Sequence, residues 1–357
     1  MMVCLLIAAL SVVTPKNGEV VPTQKDGHKA YLSGRRAERF LRMDNAADRA
    51  KLLMIGGTQK PLKLAWIGAT NAVYELSIVA EGGDEETFSI TNRTEVHITN
   101  LELGRKYDWM VKCESDGESV SSTFVTESDA PRFMRAGGVG NFRDLGGWIA
   151  ADGHRVRENM IFRSAGLRFS SKSSGGFFRK KIEVGERRIT DAGIVTLRDD
   201  LKIKTDLELR TPQETAGMNW TVLGENVQWH NISFVAYGFI SNDVRGRDQF
   251  AKIFRIFAYN ENYPVLMHCS GGRDRTGTLA FLLNGLLGVA EDDLCRDWEA
   301  SIFSDAGMKF TSERIEGLLD FLKTLPGDTL SERIESYVRS CGITAEEISS
   351  FKSIMLK

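Results

Sequence analysis

Short runs of alternating hydrophobic and polar residues fill the first third of the chain. Residues 62–66, 74–79 and 107–113 alternate with a period of two, which predicts β-strands with one buried face. Turn residues such as glycine and asparagine separate these runs. Several short strands at regular spacing are typical of a β-sandwich. We therefore predict an all-β sandwich over residues 11–131.

Residues 33–55 interrupt this pattern. Apolar residues there recur at helical spacing among arginine, aspartate and lysine residues. We predict one or two helices in this insertion, and we expect them to pack beside the sheet of the sandwich.

Beyond the sandwich, strand patterns alternate with helical patterns. Residues 203–210 and 264–267 predict strands, and residues 250–257 and 278–287 predict helices. This alternation is typical of an α/β domain with a parallel or mixed sheet, which we assign to residues 132–357. Sheets of this kind bind ligands at the carboxyl ends of their central strands.

The most informative stretch follows the strand at 264–267, and it reads His268-Cys269-Ser270-Gly271-Gly272-Arg273-Asp274-Arg275-Thr276-Gly277. A loop at a helix N-terminus directs several backbone N–H groups at one point, where the helix dipole also favours an anion. Gly271 and Gly272 allow tight backbone curvature, and Arg275 can bind two phosphate oxygens through its planar guanidinium. In such a cup the thiolate of Cys269 is stabilised and becomes a nucleophile near neutral pH.

Together these residue types predict a phosphate-binding cup with a cysteine nucleophile. The hydroxyl of Thr276 is close enough in sequence to donate to the sulfur of Cys269 or to assist its departure. A buried cysteine in a glycine-rich turn beside surface arginines is the alternative explanation. We favour the cup, and besides Arg275 we assign phosphate binding to Ser270, Gly271, Gly272, Arg273 and Thr276.

This loop resembles the signature of cysteine-dependent protein tyrosine phosphatases, His-Cys-x5-Arg-Ser/Thr. Within them, its Gly-Arg-Asp-Arg-Thr-Gly segment resembles the bacterial tyrosine/serine phosphatase family. Three more segments resemble motifs of that family and occur in its order: Asn-Phe-Arg-Asp-Leu-Gly-Gly at 141–147, Phe-Arg-Ser-Ala at 162–165 and Thr-Asp-Leu-Glu-Leu-Arg-Thr at 205–211. The resemblance covers residues 132–357 and implies a phosphotyrosine-phosphatase-like α/β fold.

The resemblance also implies the chemistry. Cys269 would form a phosphocysteine intermediate, with no metal and no cofactor. Asp274 is the first candidate for the general acid, because the family places an aspartate in this position of the loop. Asp274 could instead orient Arg275. The other candidates for the acid are Asp206, Asp243 and Asp248.

Some positions depart from the family's pattern or lack an assigned role. Glu208 stands at the aspartate position of the family's Asp-Leu-Arg strand. Arg273 stands where many relatives have lysine, and it could widen the site toward doubly phosphorylated or lipid substrates. Arg143 and Asp144 either support the cup from behind or form a salt bridge with each other. We expect His268 to hold the loop by hydrogen bonds rather than to act as a base.

The first domain resembles a fibronectin type III module. Leu101, Gly104 and Tyr107 fit the Leu-x-x-Gly-x-x-Tyr signature of such modules, and Trp66 lies on an early strand. The resemblance implies a role in spacing, docking or substrate presentation rather than in catalysis. The helical insertion departs from the usual module.

Composition narrows the remaining functions. The formal net charge of −2 gives no reason to expect nucleic acid or an anionic membrane as a partner. Five cysteines at wide spacing, without a Cys-x-x-Cys pair, argue against zinc and against a disulfide framework. The apolar residues 1–10 are a candidate signal peptide remnant, so we expect export, with the cytoplasm as the alternative. No other apolar run is long enough to span a bilayer.

The leading prediction is a protein tyrosine phosphatase, or a dual-specificity tyrosine/serine phosphatase. Its substrate would be a phosphotyrosine-containing protein or another phosphomonoester. A phosphoinositide phosphatase could use the same cup. From other classes, a phosphate-binding adaptor without turnover remains an alternative, as does a protein whose sandwich binds a glycan or a protein. No oligomeric state is predicted.

Overall fold

The structure, a computed structural model, describes residues 9–169, 186–240, 244–304 and 311–356. The candidate signal peptide lies outside these ranges except for its last two residues. The chain divides into two units. The first comprises Met1–Lys25 and Gln59–Asp129, and the second comprises Asp26–Thr58 and Ala130–Lys357.

The described part of the first unit is built from β-strands. In chain order they are β1 (Ser11–Thr14), β2 (Glu19–Val21), β3 (Leu62–Ile67), β4 (Val73–Ala80), β5 (Glu85–Thr91), β6 (Glu95–Ile98), β7 (Lys106–Cys113) and β8 (Ser119–Thr126). They form one sheet in the order β1-β3-β6 and another in the order β2-β8-β7-β4-β5. Neighbouring strands are antiparallel except β2 and β8, which run parallel.

The two sheets share one hydrophobic core. Strand β7 shows how the sequence dictates this, because its residues alternate strictly between exposed and buried. Its buried Tyr107 stacks on Phe124 of β8, with ring centroids 5.1 Å apart. Trp66 of β3 meets Tyr74 of β4 edge to face at 5.3 Å. The strands predicted in this segment are confirmed.

The inserted helices are α1 (Asp26–Leu32), α2 (Arg36–Asp44) and α3 (Ala46–Ile55). The prediction that they pack beside the sandwich sheet was wrong, because they belong to the second unit. Their buried side chains, including Tyr31 and Met43, join the core of that unit. The ring of His28 stacks on Phe133 at 4.0 Å. Helical spacing identifies a buried face, but it does not identify the core that the face meets.

The second unit contains a mixed sheet. Its strands are β9 (Arg143–Asp144), β10 (Ile161–Ala165), β11 (Thr205–Glu208), β12 (Gln228–Asn231) and β13 (Val265–Cys269), in the order β12-β11-β13-β10-β9. Neighbours are parallel except β9, which is antiparallel to β10. The central strand β13 is buried at every position, as its continuous apolar run predicted. The prediction of a parallel or mixed sheet is confirmed.

Further helices surround this sheet. In chain order they are α4 (Asp191–Val195), α5 (Val244–Phe257), α6 (Arg275–Leu286), α7 (Glu291–Glu299), α8 (Glu313–Lys323), α9 (Leu330–Ser340) and α10 (Ala345–Met355). Helix α6 is buried on all sides from Thr276 onward, which explains its uniformly apolar sequence. It begins at Arg275, three residues earlier than predicted. Among the described helices, none is long and apolar enough to cross a membrane.

Candidate active site

The predicted cup lies where the central strand β13 ends and α6 begins. Cys269 is the last residue of the strand and is 2 % exposed, and residues 270–274 form the connecting loop. Gly272 adopts a positive φ of 67°. A Cβ at Gly272 would lie 2.3 Å from the carbonyl oxygen of Ser164, so no other residue fits this position.

Three donors outside the loop hold its carbonyl groups. The side-chain amide of Asn141 donates to the oxygen of Gly271 at 2.9 Å, and Arg163 donates to the oxygen of Gly272 at 2.7 Å. The backbone N–H of Gly166 donates to the oxygen of Ser270 at 3.2 Å. In a trans peptide the N–H of the next residue points away from the C=O. The N–H groups of residues 271–273 are therefore turned away from these donors, as an anion cup requires.

Asp297 of α7 anchors the two arginines that support this loop, Arg143 and Arg163. Its carboxylate accepts hydrogen bonds from Arg163 and from Nε of Arg143, the latter at 3.2 Å. Arg143 also donates to the side-chain oxygen of Asn141, which fixes the amide that holds Gly271. Burial opposes the charge of Asp297, but the two guanidinium groups outweigh it and hold the pKa of this carboxyl below its usual range.

The position of Arg143 decides between the two roles left open for the pair Arg143 and Asp144. They do not pair with each other, because consecutive strand residues point to opposite sides of the sheet. Asp144 accepts instead from Arg132 at 2.8 Å and from the backbone N–H of Asn159 at 2.7 Å. Arg143 therefore supports the loop of the cup, whereas Asp144 binds Arg132 and the backbone of Asn159 on the other side of the sheet.

Arg275 is held by a carboxylate that the sequence analysis missed. Its Nη1 and Nη2 donate to the two oxygens of Glu214, each at 2.7 Å. This bond to Arg275 is the largest reason why the pKa of Glu214 is lowered to about 2, and burial opposes it. A guanidinium has five N–H groups, so three remain available to a phosphate. Glu214 therefore orients Arg275 without blocking it.

The residue before Cys269, His268, lies between two buried carboxylates. Its Nε2 is 2.6 Å from Asp206 and its Nδ1 is 3.4 Å from Glu208. Burial favours the neutral ring, but the charges of Glu208 and Asp206 outweigh it and raise the pKa of His268. Both ring nitrogens face buried carboxylates, so this geometry agrees with a holding role for His268.

Asp274 is held at the rim of the cup. Its Oδ1 accepts from the hydroxyl of Tyr237 at 2.6 Å and from Arg314 at 3.1 Å, and its Oδ2 accepts from Arg273 at 3.0 Å. Burial alone would raise the pKa of Asp274, but its bonds to Arg273 and Tyr237 and the nearby positive charges lower it. Among its described contacts none is to Arg275, so the structure gives no support to the alternative that Asp274 orients Arg275.

Comparison with known sequences identifies the family. The sequence model described as "Tyrosine phosphatase family" matches residues 134–357, which include every element of this site. The chain belongs to the tyrosine phosphatase family. A Cupriavidus necator protein that is named among tyrosine-protein phosphatases is 25% identical over 206 residues, which cover 50% of this chain and 67% of that protein. A tyrosine-protein phosphatase of Nostoc commune is 27% identical over 176 residues, which cover 43% of this chain and 58% of that protein.

The other candidates for the general acid lie in surroundings that differ from those of Asp274. Asp206 is buried, and its oxygens are taken by His268 and by the hydroxyl of Thr221. Asp248 is exposed on α5 and makes no described hydrogen bond with residues 270–274. Asp243 lies outside the described residues.

The remaining predicted phosphate-binding side chains occupy different surroundings. The hydroxyl of Ser270 lies 3.4 Å from Glu214, and Arg273 contacts Asp274. The hydroxyl of Thr276 is buried and has no hydrogen-bond partner among the described residues, so the predicted bond to the sulfur of Cys269 is not formed. The described residues contain no group of three or more His, Cys, Asp or Glu side chains that could hold a metal ion.

We predict that Glu214→Gln impairs catalysis without unfolding the protein. The amide keeps the shape of the side chain but loses the charge that orients Arg275. A hydrogen bond between charged groups contributes about 1.5–3 kcal/mol, so kcat/KM should fall by about tenfold to a hundredfold. Steady-state hydrolysis of an aryl phosphate measures this, together with competitive inhibition by orthophosphate, which should weaken.

The matched control is Glu225→Gln, the same change at an exposed glutamate in the same connection between strands. It should leave kcat/KM and the inhibition constant of orthophosphate within about twofold of wild type. Unchanged kinetics in Glu214→Gln would show that Arg275 needs no carboxylate partner.

Proposed function

We propose that this chain is a protein tyrosine phosphatase that works through a phosphocysteine on Cys269. The observation that carries the proposal is the orientation of the loop. Its carbonyl groups at Ser270, Gly271 and Gly272 are all bonded from outside. Arg275, at the first turn of α6, adds the guanidinium. Such a constellation suits the transfer of a phosphoryl group, whose charge is spread over three equatorial oxygens.

In the first proposed step, the thiolate of Cys269 attacks phosphorus. The S–P bond forms, the P–O bond of the leaving group breaks, and the leaving oxygen takes a proton from a general acid. In the second step, water attacks phosphorus and the S–P bond breaks, which frees the thiolate and orthophosphate. The general acid of the first step, now deprotonated, takes the proton from the water. The loop N–H groups and Arg275 supply the positive field, so we propose that no metal or cofactor takes part.

For the general acid we propose Asp274. The mechanism needs an acid that can reach the leaving oxygen. Asp274 is the carboxylate at the rim, and its side chain is 32% exposed. In the free protein its cationic neighbours favour the ionised form. The negative charge of a bound phosphate opposes this by raising the pKa of a nearby carboxyl, which supports protonation in the complex.

This assignment predicts an effect of Asp274→Asn that depends on the leaving group. Para-nitrophenolate leaves without much help from an acid, whereas the tyrosyl oxygen needs a proton. We expect kcat for a phosphotyrosine peptide to fall by about a hundredfold or more, and kcat for para-nitrophenyl phosphate to fall by less than about tenfold. Equal losses for the two substrates would instead assign Asp274 to positioning the loop.

An aryl phosphate substrate is favoured by an exposed aromatic residue. Trp220 lies on the same loop as Glu214 and is 54% exposed. The guanidinium of Arg168 stacks on one face of its ring, 4.2 Å from the centroid. Arg168 is tied to the cup, because its carbonyl oxygen accepts from Arg210, which pairs with Glu208 beside His268. We propose that the exposed indole offers a flat surface to the ring of a phosphotyrosine.

Dual specificity and phosphoinositide hydrolysis are the alternatives within the same chemistry. Arg273 and Arg314 at the rim supply charge for a second phosphate, but both bind Asp274 in this structure. A phosphate-binding adaptor is the alternative outside enzymes. We favour phosphotyrosine because Trp220 provides an apolar surface that an inositol headgroup would not use.

For the first unit we propose a fibronectin type III module with a docking or spacing role. Tyr107 is the second residue of β7, and its hydroxyl accepts from the backbone N–H of Glu102 at 2.9 Å. This is the arrangement of a tyrosine corner in sandwiches of the immunoglobulin type. Gly104 adopts a positive φ of 62° within the same turn. Export remains a proposal that rests on the apolar residues 1–10.

The test is turnover with EDTA present. We expect wild type to hydrolyse a phosphotyrosine peptide, and we expect Cys269→Ser to lose at least about a thousandfold in kcat because the hydroxyl is a far weaker nucleophile. The control Cys113→Ser, in the sandwich, should keep wild-type activity. A phosphoserine peptide and a short-chain phosphoinositide test the alternatives. A folded, reduced wild type that binds phosphopeptide but hydrolyses none of these substrates would favour the adaptor.

A further inference from the structure

One face of helix α7 contacts the inserted helices. Asp292, Arg296 and Glu299 are spaced by four and three residues, so they share one side of the helix. Arg39 of α2 is buried and donates to Glu299 at 2.7 Å and to Asp292 at 2.7 Å. Arg296 donates to the carbonyl oxygen of Leu32 at the end of α1 at 3.0 Å. The insertion therefore binds α7 along its length.

A different side of α7 faces the candidate active site. Asp297 holds Arg163, which in turn holds the oxygen of Gly272. The indole N–H of Trp298 donates to the hydroxyl of Tyr237 at 3.2 Å, and that hydroxyl donates to Asp274. The same short helix is thus bonded to the insertion on one side and to the supports of the phosphate loop on the other.

We propose that the inserted helices position the phosphate loop through α7, with Arg39 as the positioning residue. Arg39 fixes the rotation of α7 about its axis and its position along that axis. Those two quantities set where Asp297 holds Arg163 and where Trp298 holds Tyr237. Because the loop carbonyls and Asp274 follow these contacts, a shift of α7 changes the geometry of the cup. A misplacement of about 1 Å can cost about a hundredfold in rate.

This inference extends the catalytic unit beyond the family's matched region. The match begins at residue 134, whereas Arg39 comes from a segment that interrupts the sandwich between β2 and β3. The chain thus leaves the first unit after Lys25, contributes three helices to the catalytic unit and returns at Gln59. The proposal rests on the phosphatase activity proposed above.

The test compares Arg39→Met with Arg39→Lys in the full chain, well below their melting temperatures. Methionine keeps the apolar stem and removes the hydrogen bonds to Glu299 and Asp292 of α7, so kcat for a phosphotyrosine peptide should fall by about tenfold to a hundredfold. Lysine should restore part of the loss. Hydrogen exchange in residues 268–277 should quicken in the methionine variant. Arg39→Met leaves the buried carboxylate of Glu299 without its arginine. If this variant does not fold, the double variant Arg39→Met with Glu299→Gln, which removes that charge, takes its place in the test.

The matched control is Arg132→Met. Arg132 is as buried as Arg39 and pairs with Asp144 in the same unit, but Asp144 does not contact the loop. We expect a similar drop in Tm with kcat within about twofold of wild type. Equal losses of kcat in the two variants, or none in Arg39→Met, would overturn the inference. An inactive wild type would instead refute the proposed function itself.

Discussion

The site depends on one buried carboxylate between two buried arginines. Asp297 holds Arg143 and Arg163, and these residues, directly or through Asn141, hold two successive carbonyl oxygens of the phosphate loop. Removing one partner of a buried ion pair typically costs about 3–5 kcal/mol, because it leaves an uncompensated charge. The cluster therefore fixes the loop in one conformation before any substrate binds. For the proposed phosphatase reaction, such preorganisation would let the loop stabilise charge without reorganising.

The elements that adjoin Cys269 carry two sets of paired charges. His268, which precedes Cys269 in β13, lies between the buried carboxylates of Asp206 and Glu208, and their charges favour a protonated imidazole. Arg275 donates to Glu214 through two of its five N–H groups, and we propose that the others bind the phosphate. The net charge of −2 for the whole chain therefore says little about this site, whose charges are arranged locally.

The sequence predicts what is local and misses what is distant. A strand, a glycine-containing loop and an apolar helix are adjacent in the chain, so their order was enough to predict the strand–loop–helix junction at Cys269. Glu214 lies 61 residues from Arg275, and Asp297 lies 134 residues from Arg163. Nothing in their local pattern distinguishes them from solvated acids. For Glu214, one usable signal existed: it follows β11, the neighbour of β13, at the edge where ligands bind. The inserted helices were predicted as helices, but their buried face fits either core equally well on sequence alone.

The central claim is that Cys269 carries the phosphoryl group during turnover. The most direct measurement is acid quenching of wild type during steady-state hydrolysis of a good aryl phosphate, followed by mass spectrometry of the peptide that contains Cys269. The account predicts a fraction of this peptide heavier by one phosphoryl group, on the cysteine, which disappears when substrate is exhausted. Sustained turnover with no phosphoryl group on Cys269 at any time, under quench conditions that preserve a phosphocysteine standard, would contradict it.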